Sequence, residues 1–443
     1  MKLPRFLLWV VLAALAVGGF LFFAEKIGLA LGTRREPRTA AIVPEPARPE
    51  PVEGAEGPSS LTPATSTPPV SPPPPADRSA TVLLTLPKRA GPNVFPYAPY
   101  TYRTGKSIAS NQTIANETLF LAYEEWKARF VTPEGAGNAL RVRRSENSND
   151  TTSQLQAYGM LLAAYFDDAD TFEGLWRYTR LHRDEHGVMH WRVNADGVVV
   201  GTGGQTDADE DMVYALLVAD KKWGSFLPQA RTLLEAIMTY EIEAQTFLVK
   251  PGSWGGSSVL NPSYFTPAYY PIFAVVSGDA RWLSVRDAGY QLLGRASNPV
   301  TGLFPNWTNA SGGDAPQVTW DAHRSDFAQD AVKIPWRLSQ DWLWHGERRS
   351  RAFLDPLVSF FQREVGAEAL VSGYTTIGKP FTSSLDVGYA GMIASAAMTA
   401  RDTAFARDLV AKVGNLPGWD TTGMTLKVLS LALLSGNYPS LAP

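Results

Sequence analysis

The sequence predicts an all-α domain of paired helices, and three observations carry that expectation. Apolar residues recur at helical spacing, with small residues between them, across 157–165, 212–219, 233–240, 269–276 and 424–434. Strand-like alternation is scarce. A loose repeat, Tyr158-Gly-Met-Leu-Leu-Ala and then Tyr214-Ala-Leu-Leu-Val-Ala, recurs after about 56 residues. Six units of that length fill about 340 residues, which is the arithmetic of six helical hairpins closed into an (α/α)6 toroid. The repeat is faint, and an irregular all-α domain fits it as well.

Along the chain, residues 6–24 form an uncharged apolar run preceded by Lys2 and Arg5. At 1.5 Å per residue, about 19 residues nearly span a hydrocarbon layer ~30 Å thick, longer than the apolar core of a secretory leader. Residues 1–35 therefore read as a signal anchor, a transmembrane segment of the cell envelope. A cleaved signal peptide, with Ala14-Leu15-Ala16 as its site, is the alternative. Arg34, Arg35 and Arg38 follow the run, so basic residues flank both ends and charge does not fix the orientation.

Residues 36–95 change character. Proline and alanine dominate, with four prolines in a row at Pro72 to Pro75. Such a segment cannot bury apolar surface and favours extended polyproline geometry. It reads as a disordered stalk, with a plain tail lacking any spacing role as the alternative. Residues 96–443 then behave as one domain.

Composition narrows the chemistry. The 443 residues are 45% hydrophobic and 11% aromatic with a net charge of −3, which gives no basic surface for nucleic acid. There is no cysteine and there are only five histidines, so thiolate chemistry is excluded and imidazole metal sites are disfavoured. Acid–base work falls to carboxylates. The densest cluster is Thr206-Asp-Ala-Asp-Glu-Asp211, directly before a helical segment. One or two of these acids are explained as helix caps. Four within five positions repel one another, which raises pKa values or demands a partner. The glycines of Gly201-Thr-Gly-Gly204 let the preceding loop fold closely against a ligand.

A second acidic position, Asp330, opens Asp330-Ala-Val-Lys-Ile-Pro-Trp-Arg337. Arg337 and Asp341 stand at i, i+4 spacing and read equally as a helix-face ion pair. Aromatic residues gather at Trp191, Trp254, Tyr264, Phe265, Tyr269, Tyr270, Trp336, Trp342 and Trp344. Most aromatics in any domain are packing, yet aromatic platforms mixed with acids also suit the flat faces and hydroxyls of a sugar chain. The Asn-x-Ser/Thr triplets at Asn111, Asn116, Asn149, Asn306 and Asn309 are short enough to arise by chance.

Taken together, Ser153-Gln-Leu-Gln-Ala-Tyr-Gly-Met160 with the residues from Glu146 before it, Gly187-Val-Met-His-Trp191, Thr206–Asp211, Asn261-Pro-Ser-Tyr-Phe-Thr-Pro267, Asp330–Arg337 and Leu433-Leu-Ser-Gly-Asn437 resemble glycoside hydrolase family 8, in the family's order. The resemblance implies an (α/α)6 barrel and inverting hydrolysis of β-1,4-linked polysaccharide, without metal or organic cofactor. It implies that Asp330 is the general base and that Asp207 grips the sugar. Trp191, Trp254 and Tyr264 take sugar-stacking places, and Arg337 is carried over as a substrate-side residue that helps to order the base. The family's proton donor is a glutamate where this sequence has Gln154. Gln329, Lys333 and Gln205 also depart from the pattern, standing for an aromatic residue, an arginine and an alanine.

An amide cannot deliver a proton to an alkoxide, and positioned acid catalysis contributes ~10²–10⁴-fold. Three consequences are open: Glu146 or Asp150 substitutes as the acid; the domain is a slow or inactive hydrolase that binds glycan; or the substrate has a leaving group needing little protonation. The competing class is a tethered glycan-binding accessory protein of exopolysaccharide assembly, and a purely structural toroid is the remote third. Oligomeric state leaves no signal in the sequence.

Overall fold

The computed structural model describes residues 95–97, 102–104, 113–400 and 404–441. The apolar run at 6–24 and the Pro-rich segment that follows lie outside the described residues, among which no helix is long and apolar enough to cross a membrane. Phe95, assigned above to the end of the linker, belongs to the core: it is buried, with its ring 4.7 Å from that of Phe166.

The described residues contain twelve α-helices. They are α1 (Thr113–Phe130), α2 (Ser153–Tyr165), α3 (Ala169–Leu181), α4 (Thr206–Trp223), α5 (Leu227–Tyr240) and α6 (Tyr270–Ser277). The second half adds α7 (Arg281–Ala296), α8 (Lys333–His345), α9 (Arg348–Phe360), α10 (Val387–Ala397), α11 (Ala404–Asn415) and α12 (Thr421–Ser435). Strands are only two or three residues long: β1 (Val131–Thr132) with β2 (Arg141–Val142), β3 (Thr151–Thr152) with β4 (Arg192–Val193) and β5 (Val199–Gly201), and β6 (Asp326–Phe327) with β7 (Tyr374–Thr375). All pairings are antiparallel.

Two kinds of helix alternate. In α2, α4, α8, α10 and α12 nearly every residue is buried, whereas α3, α5, α7, α9 and α11 bury one stripe. A helix apolar or small all round must be covered on every side, and one with a stripe must lie outside. The inner wall runs from α2 to α4, through the 3₁₀ turn Pro262–Tyr264 ahead of α6, to α8, α10 and α12. Each inner helix also packs on an outer neighbour. α12 meets both α2 and α1, which closes the ring. Trp126 Nε1 on α1 donates to Thr425 Oγ1 on α12 at 2.8 Å, and Tyr102 Oη donates to the Leu433 carbonyl at 2.7 Å. This is the (α/α)6 barrel, and each of the five segments singled out by spacing lies within a helix or starts one residue ahead of it.

Inner helices approach closely where side chains are small. A Cβ built at Gly391 of α10 would stand 2.2 Å from Ser430 Oγ on α12, so only glycine permits this crossing.

Candidate active site

The inner helices bring their N-terminal ends to one side. Gln154 is the second residue of α2, Asp207 the second of α4 and Thr422 the second of α12, while Asp330 lies three residues before Lys333 opens α8. A cleft of about 320 Å³ lies there. Its walls include Gln154, Gln205, Gln329 and Asp330 with Trp191, Trp254, Tyr264, Trp307 and Trp320, and Arg144 and Thr422 at further points.

Each of these side chains has a local cause. Thr152 caps α2, its hydroxyl accepting from Leu155 N at 3.3 Å, and β3 pairs with β4, so Gln154 and Trp191 share one edge of the cleft. The Trp191 indole lies against Gly201, where a Cβ would come within 2.3 Å of the ring. Tyr264 sits in the 3₁₀ turn capped by Asn261. Trp320 packs edge-on to both Trp254 and Trp307, at 6.1 and 5.7 Å between ring centres, so the tryptophan wall is rigid.

Asp330 is held from three directions. Its carboxylate accepts from Lys333 Nζ at 3.0 Å and from Asn261 Nδ2 at 3.1 Å. Its backbone N–H donates to Asn306 Oδ1 at 3.2 Å, and the same oxygen accepts from Ala328 and Ala331. Asn306, met above only as a chance triplet, is fully buried and ties the turn that presents Asp330. Asp330 remains partly open to the cleft, its side chain 22% exposed.

Asp207 is fully buried and does not line the cleft. The amides of two cleft-lining glutamines donate to it, Gln154 Nε2 to Oδ2 at 2.5 Å and Gln205 Nε2 to Oδ1 at 2.9 Å. Lys333 Nζ lies 3.7 Å from Oδ2. Burial raises the pKa of Asp207 above the usual carboxylate range, against the opposing charges of Lys333 and Arg337. One ammonium thus bridges Asp207 and Asp330, which lie in separate segments of the sequence. Lys333 is itself buried, 5.6 Å from the centre of the Tyr264 ring.

The remaining acids of the cluster fan out around α4. Asp211 takes a bidentate pair from Arg337, at 2.6 and 2.5 Å, and accepts from Tyr269 Oη at 3.0 Å. Glu210 accepts from the hydroxyls of Thr266 and Tyr270. Asp209 accepts from Met189 N at 3.3 Å and faces Glu241, whose two oxygens lack a hydrogen-bond partner. Burial pushes Asp209 up to about 8 and Glu241 well above its usual range, with the Asp209 charge as the next cause for Glu241. A buried pair with no cation bonded to it keeps protons rather than two charges.

Three expectations are corrected here. Arg337, carried over as substrate-binding, is fully buried inside the barrel and pins α8 to α4 through Asp211, because a buried guanidinium requires a carboxylate. It does not pair with Asp341, which is bound by Arg286 and Tyr290. Neither substitute acid faces the cleft. Glu146 caps α12, accepting from Thr421 N, Thr422 N and the Thr422 hydroxyl at 3.0, 3.1 and 2.6 Å. Burial alone would raise its pKa, but those donors hold it below the usual range. Asp150 is buried between Arg144 and Arg192, each with a contact of 2.6 Å. Among the described residues no group of three or more His, Asp or Glu side chains is arranged to hold a metal ion.

Comparison with known proteins agrees with this barrel. The sequence profile of glycosyl hydrolases family 8 matches residues 94–434. The chain belongs to glycosyl hydrolase family 8. Its relatives in the family include Endoglucanase A of Acetivibrio thermocellus, 38% identical over 78% of this chain and 73% of the relative. The Beta-glucanase of Niallia circulans is 26% identical over 79% of this chain and 92% of the relative. The apo structure of a β-1,3-1,4-glucanase from Paenibacillus sp. X4 superposes with a TM-score of 0.73 at 25% identity, covering 78% of this chain and 99% of that one. This family 8 chain is accordingly a glycosidase.

Within the family 8 cleft, sequence reading missed Trp307, Trp320 and Arg144 as wall residues, and Asn261 and Asn306 as supports of Asp330. An asparagine before proline is a turn signal, so Asn261 was open to detection. Nothing local marks Asn306, whose Oδ1 accepts from backbone groups 22 to 25 residues away.

Proposed function

We propose that the chain is a tethered, inverting endo-glycosidase of a β-1,4-linked glucan or a related polysaccharide, slowed by the amide at position 154. The supporting observation is the convergence of Asp330, Lys333, Asp207 and Gln154 beneath a wall of five aromatic side chains. In this reading Asp330 takes the proton of the attacking water. Trp191, Trp254 and Tyr264 hold sugar rings, and Trp307 and Trp320 back them. Gln154 hydrogen-bonds near the scissile oxygen but itself gives no proton, a contribution worth ~10²–10⁴-fold where a positioned acid makes it. The apolar run at 6–24 anchors the chain in the inner or plasma membrane with the barrel outside the cytoplasm.

One observation favours a second reading, a glycan-binding accessory protein: among the described residues that line the cleft, Asp330 is the only carboxylate. Reducing-end release from β-glucan, carboxymethylcellulose and chitosan, measured beside binding to the same polymers, separates the two. Slow release with binding supports the glycosidase. Binding without release supports the accessory protein.

A further inference from the structure

We propose that Asp207, rearmed by Lys333, supplies the proton that position 154 cannot. The inference rests on the hydrolase reading above and names the residue that completes it.

The geometry begins with Lys333. Its Nζ lies 3.0 Å from Asp330 Oδ1 and 3.7 Å from Asp207 Oδ2, so the two carboxyls can be no farther apart than these two legs together. Of the other carboxyls considered for the role, Glu146 is spent on capping α12 and Asp150 on two arginines. Asp207, one side chain behind the cleft wall, is the remaining acid near Asp330. It is screened by Gln154 Nε2, which stands 2.5 Å from Oδ2 on a side chain that lines the cleft. A glycosidic oxygen that takes the place of this nitrogen comes within hydrogen-bond reach of the carboxyl. An ether oxygen only accepts, so replacing the amide donor by it requires Asp207 to carry the proton. Its burial favours that protonated form.

The step balances as follows. The oxygen of water bonds to the anomeric carbon and its proton passes to Asp330. The bond from that carbon to the departing oxygen breaks, its electron pair stays on the oxygen, and the oxygen takes the proton of Asp207. The turnover leaves Asp207 as carboxylate and Asp330 as acid. Lys333 Nζ then gives one proton to Asp207 and takes one from Asp330, which restores both. A lysine ammonium exchanges protons in this way, whereas a guanidinium stays charged at any ordinary pH. The lysine at 333, where the resemblance expects arginine, therefore accompanies the glutamine at 154.

The test uses two substrates on the intact chain: cellotetraose, whose leaving group needs a proton, and 2,4-dinitrophenyl β-cellobioside, whose leaving group departs without one. Asp207→Asn should lower kcat on cellotetraose by ~10²-fold or more and leave the dinitrophenyl glycoside within about tenfold. Lys333→Arg, which keeps the charge, should lower kcat on cellotetraose with KM retained. In the wild type, the alkaline limb of the pH profile should be present with cellotetraose and absent with the activated glycoside. Equal losses on both substrates in Asp207→Asn would make Asp207 a gripping residue and overturn the inference, as would wild-type turnover in Lys333→Arg. Wild-type cleavage of the activated glycoside alone would also overturn it while leaving the hydrolase reading intact. Cleavage of neither substrate would remove both.

Discussion

Arg337 reaches from α8 to α4 inside the barrel. Its guanidinium and Asp211 form a fully buried pair joined by two hydrogen bonds. Removing one partner of such a pair strands the other charge, which costs about 3–5 kcal/mol. Arg337→Ala should therefore lower the urea midpoint strongly, whereas Trp254→Ala, at the cleft, should weaken glycan binding with little change in that midpoint. Glu146 offers a contrasting test. Because its oxygens are occupied by the start of α12, Glu146→Gln should leave hydrolysis within about twofold of wild type; a loss comparable to that from a missing general acid, ~10²-fold or more, would restore it as the proton donor. Asp209 and Glu241 set a pH dependence. Their native pKa values are raised, so their contribution to stability is full below the unfolded values near 4 and is lost as pH rises through the native ones, about 8 for Asp209. Glu241→Gln should flatten the fall in Tm between pH 5 and about 9, measured against wild type.

At the scale of elements, the apolar run decided what was visible in the sequence: the outer α5 was found beside inner helices, and the inner α10, built largely of small residues, was not. The inner helices α2, α4 and α12 carry long apolar runs and were found by spacing. The outer helices α3 and α9 carry charges on a broad solvent face and were not singled out. Their apolar stripes acquire meaning only when the inner wall is there to cover them. The crossing of α10 over α12 depends on Gly391, and Gly391→Val should cost about 1–3 kcal/mol by overpacking against Ser430. A urea titration with an unchanged m-value would show that stability, not compactness, has moved.

For the whole molecule, ring closure is the decisive contact. Tyr102, buried on the α12 side, joins the beginning of the described chain to its end, together with Tyr97 N donating to Asn437 Oδ1 at 3.0 Å. A chain that starts after residue 104 loses these anchors and the buried rings of Phe95, Tyr97 and Tyr102. It should unfold at a lower urea concentration, because truncating one large core side chain already costs about 3–5 kcal/mol. Across the intact barrel, Gln154→Glu should raise reducing-end release from β-glucan by less than about tenfold with binding within a few-fold, because Asp207 already supplies the proton; a gain of ~10²-fold or more would mean that the wild type works without an acid.

By itself the sequence determined the helical class, the family and the list of side chains with chemistry to offer, because spacing and local motifs are properties of short segments. It placed Asp207, Asp330, Gln154, Trp191, Trp254 and Tyr264 on that list without showing how they stand to one another. Tertiary structure alone decided the partners. It put Lys333 between two carboxyls from different inner helices, hid Arg337 behind Asp211 and spent Glu146 on a helix start. Such pairings join residues up to about 275 positions apart, and the charge or proton each group keeps depends on how deeply the barrel buries it and on what it meets there.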